Sequence, residues 1–260
     1  MTRILTALLL IPVFVYVVLW SPFPVLCAVA ALVALFCFRE YANLVAEHKI
    51  KPPGLFGYAA GLVFLFVPQN QIAFAVIFVL LAMMLSLRLD ELPEALPFAS
   101  ALVLGVFYIF GGMRFAIELR GISPYWLLFA LSLNWAGDSA ALYVGRSFGR
   151  HKLSPQWSPG KSWEGSIASV AASMIYAGVY LHYLLPAVPV AEGLVIGFVA
   201  NIAGQFGDIC ESALKRGAGV KDSGAMLPGH GGWLDRIDSS LFALPVVYLC
   251  FGFLNPWLLT

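Results

Sequence analysis

Residues 204–239, GQFGDICESALKRGAGVKDSGAMLPGHGGWLDRIDS, lie between two long apolar runs in the C-terminal part of the sequence. The stretch concentrates charged and titratable side chains, although only 11% of the 260 residues are charged and 61% are hydrophobic. Such a concentration beside so much apolar sequence predicts a reaction site. The side chains are Asp208, Glu211, Lys215, Arg216, Lys221, Asp222, His230, Asp235, Arg236 and Asp238.

Apolar runs recur along the whole chain, and the mean hydropathy of +0.87 is typical of polytopic membrane proteins. About 20 helical residues are needed to cross the hydrocarbon core. We expect an all-α bundle of about nine transmembrane helices, in which residues 1–120 and 121–260 form one continuous membrane domain. The third and fourth spans are short enough to form either a tight hairpin or one re-entrant element. The predicted spans are 4–20, 22–38, 54–68, 71–87, 98–117, 124–145, 163–185, 190–214 and 239–258.

Basic residues set the expected orientation. With nine spans and a cytoplasmic N-terminus, every one of the fifteen Lys and Arg residues except Arg114 and Arg120 falls in a cytoplasmic segment. This distribution follows the positive-inside rule. The two large polar loops then share the cytoplasmic face. We expect an integral protein of a bacterial inner membrane with its active site facing the cytoplasm.

The eighth predicted span carries a polar stripe whose members recur every three or four residues and therefore share one helical face. A polar face within a membrane should turn toward the bundle interior or a water-filled cavity. Asn134 and Asp138 share a face of the sixth span in the same way. Helix–helix hydrogen bonds, or an ion pair of Asp138 with Arg146, are the structural alternatives. The polar stripe of the eighth span consists of Asn201, Gln205, Asp208, Ser212 and Lys215.

The loop before the last span combines three kinds of group. Cationic side chains bind phosphate oxygens, glycines allow close backbone approach, and carboxylates bind hard cations such as Mg²⁺. Together they suit a phosphate chain bound with a divalent cation. Single residues also have structural explanations, since Asp235 or Asp238 can cap a helix and Lys215 and Arg216 can signal topology. His230 could be a general base, a phosphate donor or a turn residue.

A second basic loop, RSFGRHKLSPQWSPGKSWEGS, occupies residues 146–166. Its cations suit a lipid headgroup or nucleotide phosphate, and the helix that begins near Lys161 and Glu164 offers N-terminal amides to an anion. An ordinary solvated cytoplasmic loop is the alternative.

These two stretches resemble the signature of the phosphatidate cytidylyltransferase family, also called CDP-diacylglycerol synthases. Trp233 and Leu142 depart from the family pattern without removing a charge. The first block of matching positions is Asp138, Gly145, Arg146, Phe148, Gly149, Leu153, Pro155, Ser158, Pro159, Lys161, Glu164 and Gly165. The second block is Ser212, Leu214, Lys215, Arg216, Lys221, Asp222, Gly224, Leu227, Pro228, His230, Gly231, Gly232, Asp235, Arg236, Ile237 and Asp238.

The resemblance implies that CTP and phosphatidate react to give CDP-diacylglycerol and pyrophosphate, with Mg²⁺ required and a second cation or a homodimer also conceivable. It implies membrane lipid as a partner and no nucleic acid. We expect Asp208 and Asp235 as the first metal ligands, followed by Asp238 and Asp222. The expected phosphate-binding and catalytic groups are Lys215, Arg216, Lys221, Arg236 and His230. The expected substrate pocket is formed by Asp138, Ser158, Lys161, Glu164, Ser212, Gly231 and Gly232.

Two other functions are the alternatives for a membrane protein with these polar residues. A CDP-alcohol phosphatidyltransferase carries a pattern that begins with Asp-Gly, and this dipeptide is absent from the sequence. A transporter or channel would use Asp138 and Asp208 as intramembrane ion sites. The glycine-rich cationic loop and the lack of repeat symmetry argue against transport.

Overall fold

The computed structural model describes residues 2–66, 71–226, 229 and 231–254, with side chains from residue 11 onward except that of Gln71. Within these ranges the protein is almost entirely helical, which confirms the all-α prediction apart from one small hairpin. The helices are α1 (Thr2–Trp20), α2 (Phe23–Glu47), α3 (Gly54–Phe66), α4 (Gln71–Ser86), α5 (Ala95–Gly105), α6 (Gly112–Ile122), α7 (Pro124–Phe148), α8 (Trp163–Leu184), α9 (Val190–Gly217) and α10 (Leu234–Leu254).

Six helical segments are long and apolar enough to cross a membrane, judged by length and composition within the described residues. They are α2, the continuous segment Leu92–Ile122, and α7 to α10. Three further apolar helices are shorter, at Ile11–Trp20, Gly54–Phe66 and Ile72–Ser86. The protein is therefore an all-α membrane protein, and the count of about nine spans stays a prediction.

The segment Leu92–Ile122 is longer than the predicted span 98–117. It begins with a single 3₁₀ turn at Leu92–Glu94, and a π-helical turn at Val106–Gly111 joins α5 to α6. Residues 92–97, which precede the predicted span, are thus helical. Pro93 is tolerated because the first turn of a helix leaves its backbone N–H groups unpaired in any case.

Two apolar clusters form the core. One is built mainly from α2, α3, α5 and the π-helical turn, and includes Phe38, Phe110 and Leu234. The other joins α7, α8 and α9 and includes Phe129 and Leu244. Because α10 contributes Leu234 to the first cluster and Leu244 to the second, the last helix ties the N-terminal helices to the C-terminal ones.

Small residues let α7, α8 and α9 approach closely, as is usual between membrane helices. A Cβ atom added at Gly197 would lie 2.6 Å from the Cβ of Ala177 and 2.9 Å from the carbonyl oxygen of Ser173. Amide and hydroxyl groups fill the remaining space, and Asn201 Nδ2 donates to Ser173 Oγ at 2.8 Å. These contacts hold α9, which carries the predicted polar stripe, in a defined position.

The loop between α7 and α8 forms the one departure from all-α structure seen in the described residues. Strands β1 (Lys152–Ser154) and β2 (Ser158–Ser162) pair in antiparallel fashion. The Lys152 ammonium group donates to the carbonyl oxygen of Pro159 at 2.8 Å, and Ser162 Oγ caps α8 by accepting from the N–H of Gly165. The hairpin therefore fixes the backbone conformation of the basic loop.

Gly197→Leu should destabilise the protein, because the new side chain meets backbone atoms of α8 that cannot move aside. Overpacking of this kind costs about 1–3 kcal/mol. Gly121→Leu is the matched control, since a Cβ atom there has no neighbour within 4 Å. Thermal unfolding of the purified protein in detergent should show a lower Tm for Gly197→Leu alone. Equal transitions for both variants would contradict the close α8–α9 packing.

Candidate active site

The ends of several helices meet at one end of the bundle. His48 Nε2, just after α2, lies 3.0 Å from the carbonyl oxygen of Leu214 in α9. Lys161 in β2 contacts Asp208 in α9, and Lys215 in α9 contacts Asp235 in α10. The two charged stretches singled out in the sequence are therefore brought together, although they are about fifty residues apart.

Lys161 and Asp208 form the link between these stretches. The Lys161 Nζ atom lies 2.6 Å from Asp208 Oδ2, and the two side chains are 25% and 34% exposed. Ser212 Oγ donates to Asp208 Oδ1 at 3.3 Å. Because both charged groups are partly open to solvent, a phosphate or a cation can replace one member of the pair without entering the core.

The polar stripe of α9 divides into two parts. Asn201 and Gln205 bond to each other and to serines of α8, so they serve helix packing. The second part of the stripe is charged and lies at the end of α9 where the loops meet. It consists of Asp208, Ser212 and Lys215. The structural alternative is therefore correct for the first two residues.

Lys215 bridges two carboxylates. Its Nζ atom donates to Asp235 Oδ1 at 2.5 Å and also contacts Glu211 Oε2 one turn earlier in α9. Lys215 is 9% exposed and Glu211 is fully buried. A charge buried in this way is costly unless it is paired. The Lys215 ammonium group therefore offsets the burial of both carboxylates.

Asp235 holds the glycine-rich loop. Its Oδ2 atom accepts hydrogen bonds from the N–H of Gly232 at 2.7 Å, from the N–H of Ser223 at 3.0 Å and from the Ser223 hydroxyl at 3.0 Å. With Lys215 on Oδ1, both oxygens already have donors. These contacts favour a structural role for Asp235, and its predicted role as a metal ligand stays a prediction.

Three other carboxylates lie near one another. Asp238, which is 8% exposed, is within electrostatic range of Asp208 and of Lys161, and its Oδ1 atom accepts from the N–H of Ser239 at 2.7 Å. Asp138 on α7 is within range of Asp208, Lys161 and Arg236. Cations and carboxylates of α7, α9, α10 and β2 thus lie within electrostatic range of one another.

The described residues contain no group of three or more His, Cys, Asp or Glu side chains placed to hold a metal ion by themselves. Mg²⁺ usually keeps several waters and takes only one or two carboxylates together with substrate phosphates. The oxygen donors of Asp208 and Asp238 fit that pattern, since both hydrogen bonds to Asp238 within the described residues go to Oδ1 and leave Oδ2 free. Asp138, within electrostatic range of Asp208, is a further candidate.

Several predicted site residues have other partners or lie at the surface. Arg216 donates to the carbonyl oxygen of Val220 at the end of α9. Glu164 accepts from the backbone N–H and the ring of His151, at 3.2 and 2.7 Å, and so closes the hairpin loop. Lys221, Asp222 and Arg236 are exposed, and Ser158 is half-buried in β2. His230 lies outside the described residues.

Gly231 and Gly232 allow the loop to approach carboxylates. Gly231 has a φ of 77°, a conformation that favours glycine, and a Cβ atom there would lie 2.7 Å from Asp235 Oδ2. A Cβ atom at Gly232 would collide with Glu40 Oε2 and Ser223 Oγ. The predicted substrate contact of these glycines stays a prediction, whereas their packing role is visible.

Glu40 on α2 belongs to this site and was missed in the sequence. It is 4% exposed. Its Oε1 atom accepts from the N–H of Trp233 at 3.0 Å, and its Oε2 atom accepts from the N–H of Leu234 at 2.9 Å and from the Ser223 hydroxyl at 3.0 Å. The predicted span ended at residue 38, but α2 continues to Glu47. A carboxylate within an apolar helix was the available signal.

Comparison of the sequence with known proteins identifies the family of the chain. The model of the Cytidylyltransferase family matches residues 1–254. The chain belongs to this family. A phosphatidate cytidylyltransferase of Bacillus subtilis (strain 168) is 33% identical over 261 residues, which cover 95% of each chain. Proteins of the same name from Staphylococcus haemolyticus and from Staphylococcus aureus (strain COL) are each 32% identical, over 94% of this chain and 96% of the relative.

The cytidylyltransferase match extends well beyond the two charged stretches. It includes α2, which carries Glu40, although the sequence motifs cover only residues 134–240. The family match therefore covers the N-terminal helices as well as the residues of the motifs.

Lys215→Met should strongly destabilise the protein, because it leaves Glu211 and Asp235 without their shared cation. Breaking a buried ion pair by removing one partner costs about 3–5 kcal/mol. Lys221→Met is the matched control, since Lys221 is exposed and makes no hydrogen bond or ion pair with the residues that the structure describes. Thermal unfolding in detergent should separate the two variants clearly. A wild-type Tm for Lys215→Met would show that the carboxylates do not need the lysine.

Proposed function

We propose that this protein is a phosphatidate cytidylyltransferase, which transfers the cytidylyl group of CTP to phosphatidate and gives CDP-diacylglycerol and pyrophosphate. The observation that carries the proposal is the match to the family over residues 1–254, together with relatives of that name that are about one-third identical over almost the whole chain. The charged cluster at one end of the helices agrees with this reaction, because a lipid phosphate and a water-soluble nucleotide must meet near the membrane surface.

In the reaction, an oxygen of the phosphatidate phosphate attacks the α-phosphorus of CTP. The bond between that phosphorus and the oxygen bridging to the β-phosphate breaks, and pyrophosphate leaves with the electron pair. The attacking phosphate is already anionic, so no strong base is needed. Catalysis then depends mainly on positioning and on stabilising negative charge.

The cationic side chains supply that stabilisation. Lys161, in its exchangeable pair with Asp208, and the exposed Arg236 would bind phosphate oxygens of the two substrates. Lys215 is engaged with two carboxylates, so its contribution is to hold α9 and α10 in register. Substrate binding by Arg216, Lys221 and Ser158 remains part of the proposal.

Mg²⁺ is the proposed cofactor, held by Asp208 and Asp238 with Asp138 nearby. When bound, it would neutralise phosphate charge and polarise the reacting phosphoryl group. Lys161 would leave Asp208 for a substrate phosphate in that state. A second cation at the same cluster is part of the same proposal.

We also propose an inner-membrane location, a cytoplasmic N-terminus and a cytoplasmic site. The charge distribution in the sequence supports this orientation. A homodimer is suggested by the resemblance alone, and the molar mass of the purified protein in detergent would test it.

Asp208→Asn and Asp238→Asn should each reduce incorporation of labelled CTP into lipid by about 10²–10³-fold, because the amide keeps the side-chain shape but removes the negative charge that would hold Mg²⁺. Asp90→Asn, in an exposed connector, is the control. The assay uses purified protein, phosphatidate and a range of Mg²⁺ concentrations. Near-normal activity of either variant across that range would remove the residue from the site, and no incorporation by the unmodified protein would overturn the function.

Cysteine labelling tests the orientation. In a chain whose native cysteines are replaced, Gly160→Cys in the hairpin loop should react with a membrane-impermeant reagent only from the cytoplasmic side. Ala187→Cys, in the exposed loop between α8 and α9, should react only from the other side. The reverse pattern would invert the proposed topology.

A further inference from the structure

Glu40 has a set of contacts that membrane anchoring does not explain. Its carboxylate is buried at 4% exposure, and no cation lies within salt-bridge distance of it among the described residues. A buried carboxylate without a counter-ion is costly unless hydrogen bonds compensate the charge. Within the described part of the chain, every hydrogen-bond donor to Glu40 belongs to the glycine-rich loop or to the beginning of α10.

Two of those donors are the backbone N–H groups of Trp233 and Leu234, at the N-terminus of α10. The first N–H groups of a helix have no partner within the helix, and the positive end of the helix dipole attracts an anion. Glu40 therefore caps α10 from another helix, about 190 residues earlier in the chain. In turn, the N–H groups at the start of α10 compensate the charge of the buried Glu40 carboxylate.

The third donor links Glu40 to the site itself. The Ser223 hydroxyl lies 3.0 Å from Glu40 Oε2 and 3.0 Å from Asp235 Oδ2, so one proton faces two carboxylates. Gly232 lies between them, where a Cβ atom would collide with Glu40 Oε2. The loop is thus held between a carboxylate of α2 and a carboxylate of α10.

We infer that Glu40 is a positioning residue for the reaction: it fixes the glycine-rich loop and the first turn of α10, and thereby the placement of Asp235 and Asp238. It does not touch the proposed metal or the substrates. The inference about the loop stands on geometry alone, whereas its catalytic consequence rests on the proposed function.

The test compares Glu40→Gln with two controls in the full-length purified protein. The Gln side chain has nearly the same shape, but its NH₂ group must face a backbone N–H that the carboxylate accepted. Glu47→Gln changes an exposed residue of the same helix, and Glu118→Gln breaks the Arg114–Glu118 ion pair away from the loop. Hydrogen exchange measured by mass spectrometry follows the peptides that cover residues 221–236.

Glu40→Gln should raise exchange in these peptides while exchange in α7 and α8 stays unchanged, and neither control should do so. In the CTP incorporation assay kcat should fall by about tenfold to hundredfold, because small displacements of reacting groups have effects of that size. The KM for CTP should change less, since Glu40 does not contact the nucleotide. Unchanged loop exchange in Glu40→Gln would overturn the inference, whether or not the protein transfers cytidylyl groups.

Gly232→Ala perturbs the same contact from the loop side. It provides the test if Glu40→Gln does not fold. Its methyl group should displace Glu40 and raise exchange in the same peptides. The double variant should be no worse than the more severe single variant, because the two changes break one contact. Wild-type exchange in Gly232→Ala, or additive losses of kcat in the double variant, would contradict a shared role.

Discussion

A lysine that is 9% exposed holds two carboxylates together where α9 meets α10. This Lys215 bridge lies against apolar helices, where an unpaired charge is costly. Its geometry requires α9 and α10 to keep one relative position. The loop that joins the two helices must then close between fixed ends, and its glycines give it the freedom to do so.

The same electrostatic requirement accounts for Glu40. The carboxylate cannot remain buried without donors, and the N-terminus of α10 cannot remain buried without an acceptor. Each satisfies the other, and the Ser223 hydroxyl connects this contact to Asp235. As a result, α2 shares one polar site with α9 and α10, in addition to the apolar clusters that α10 joins.

The site contains two sets of charged side chains. One set stabilises the fold, and the other is available to bind substrates. Lys215, Glu211, Asp235 and Glu40 are largely buried and engaged with one another or with the loop. Lys161, Asp208, Asp138 and Arg236 are more exposed, and Asp138 lies within electrostatic range of the other three. Phosphoryl-type transfer needs both kinds of group. The buried groups fix the helices and the loop, and the more exposed charged groups must then lie in accurate positions to stabilise the reacting phosphates.

The sequence by itself determined the helical membrane class, the charged stretch and the family signature, since hydropathy, helical period and motif spacing are properties of neighbouring residues. It also grouped Asp208 with Lys215 on one face of α9. It did not reveal that Asp235 supports the loop, that Glu164 closes a hairpin, or that Glu40 belongs to the site. Those roles depend on which donors lie beside each carboxylate, and contacts between residues as far apart as 40 and 234 exist only once the helices have packed.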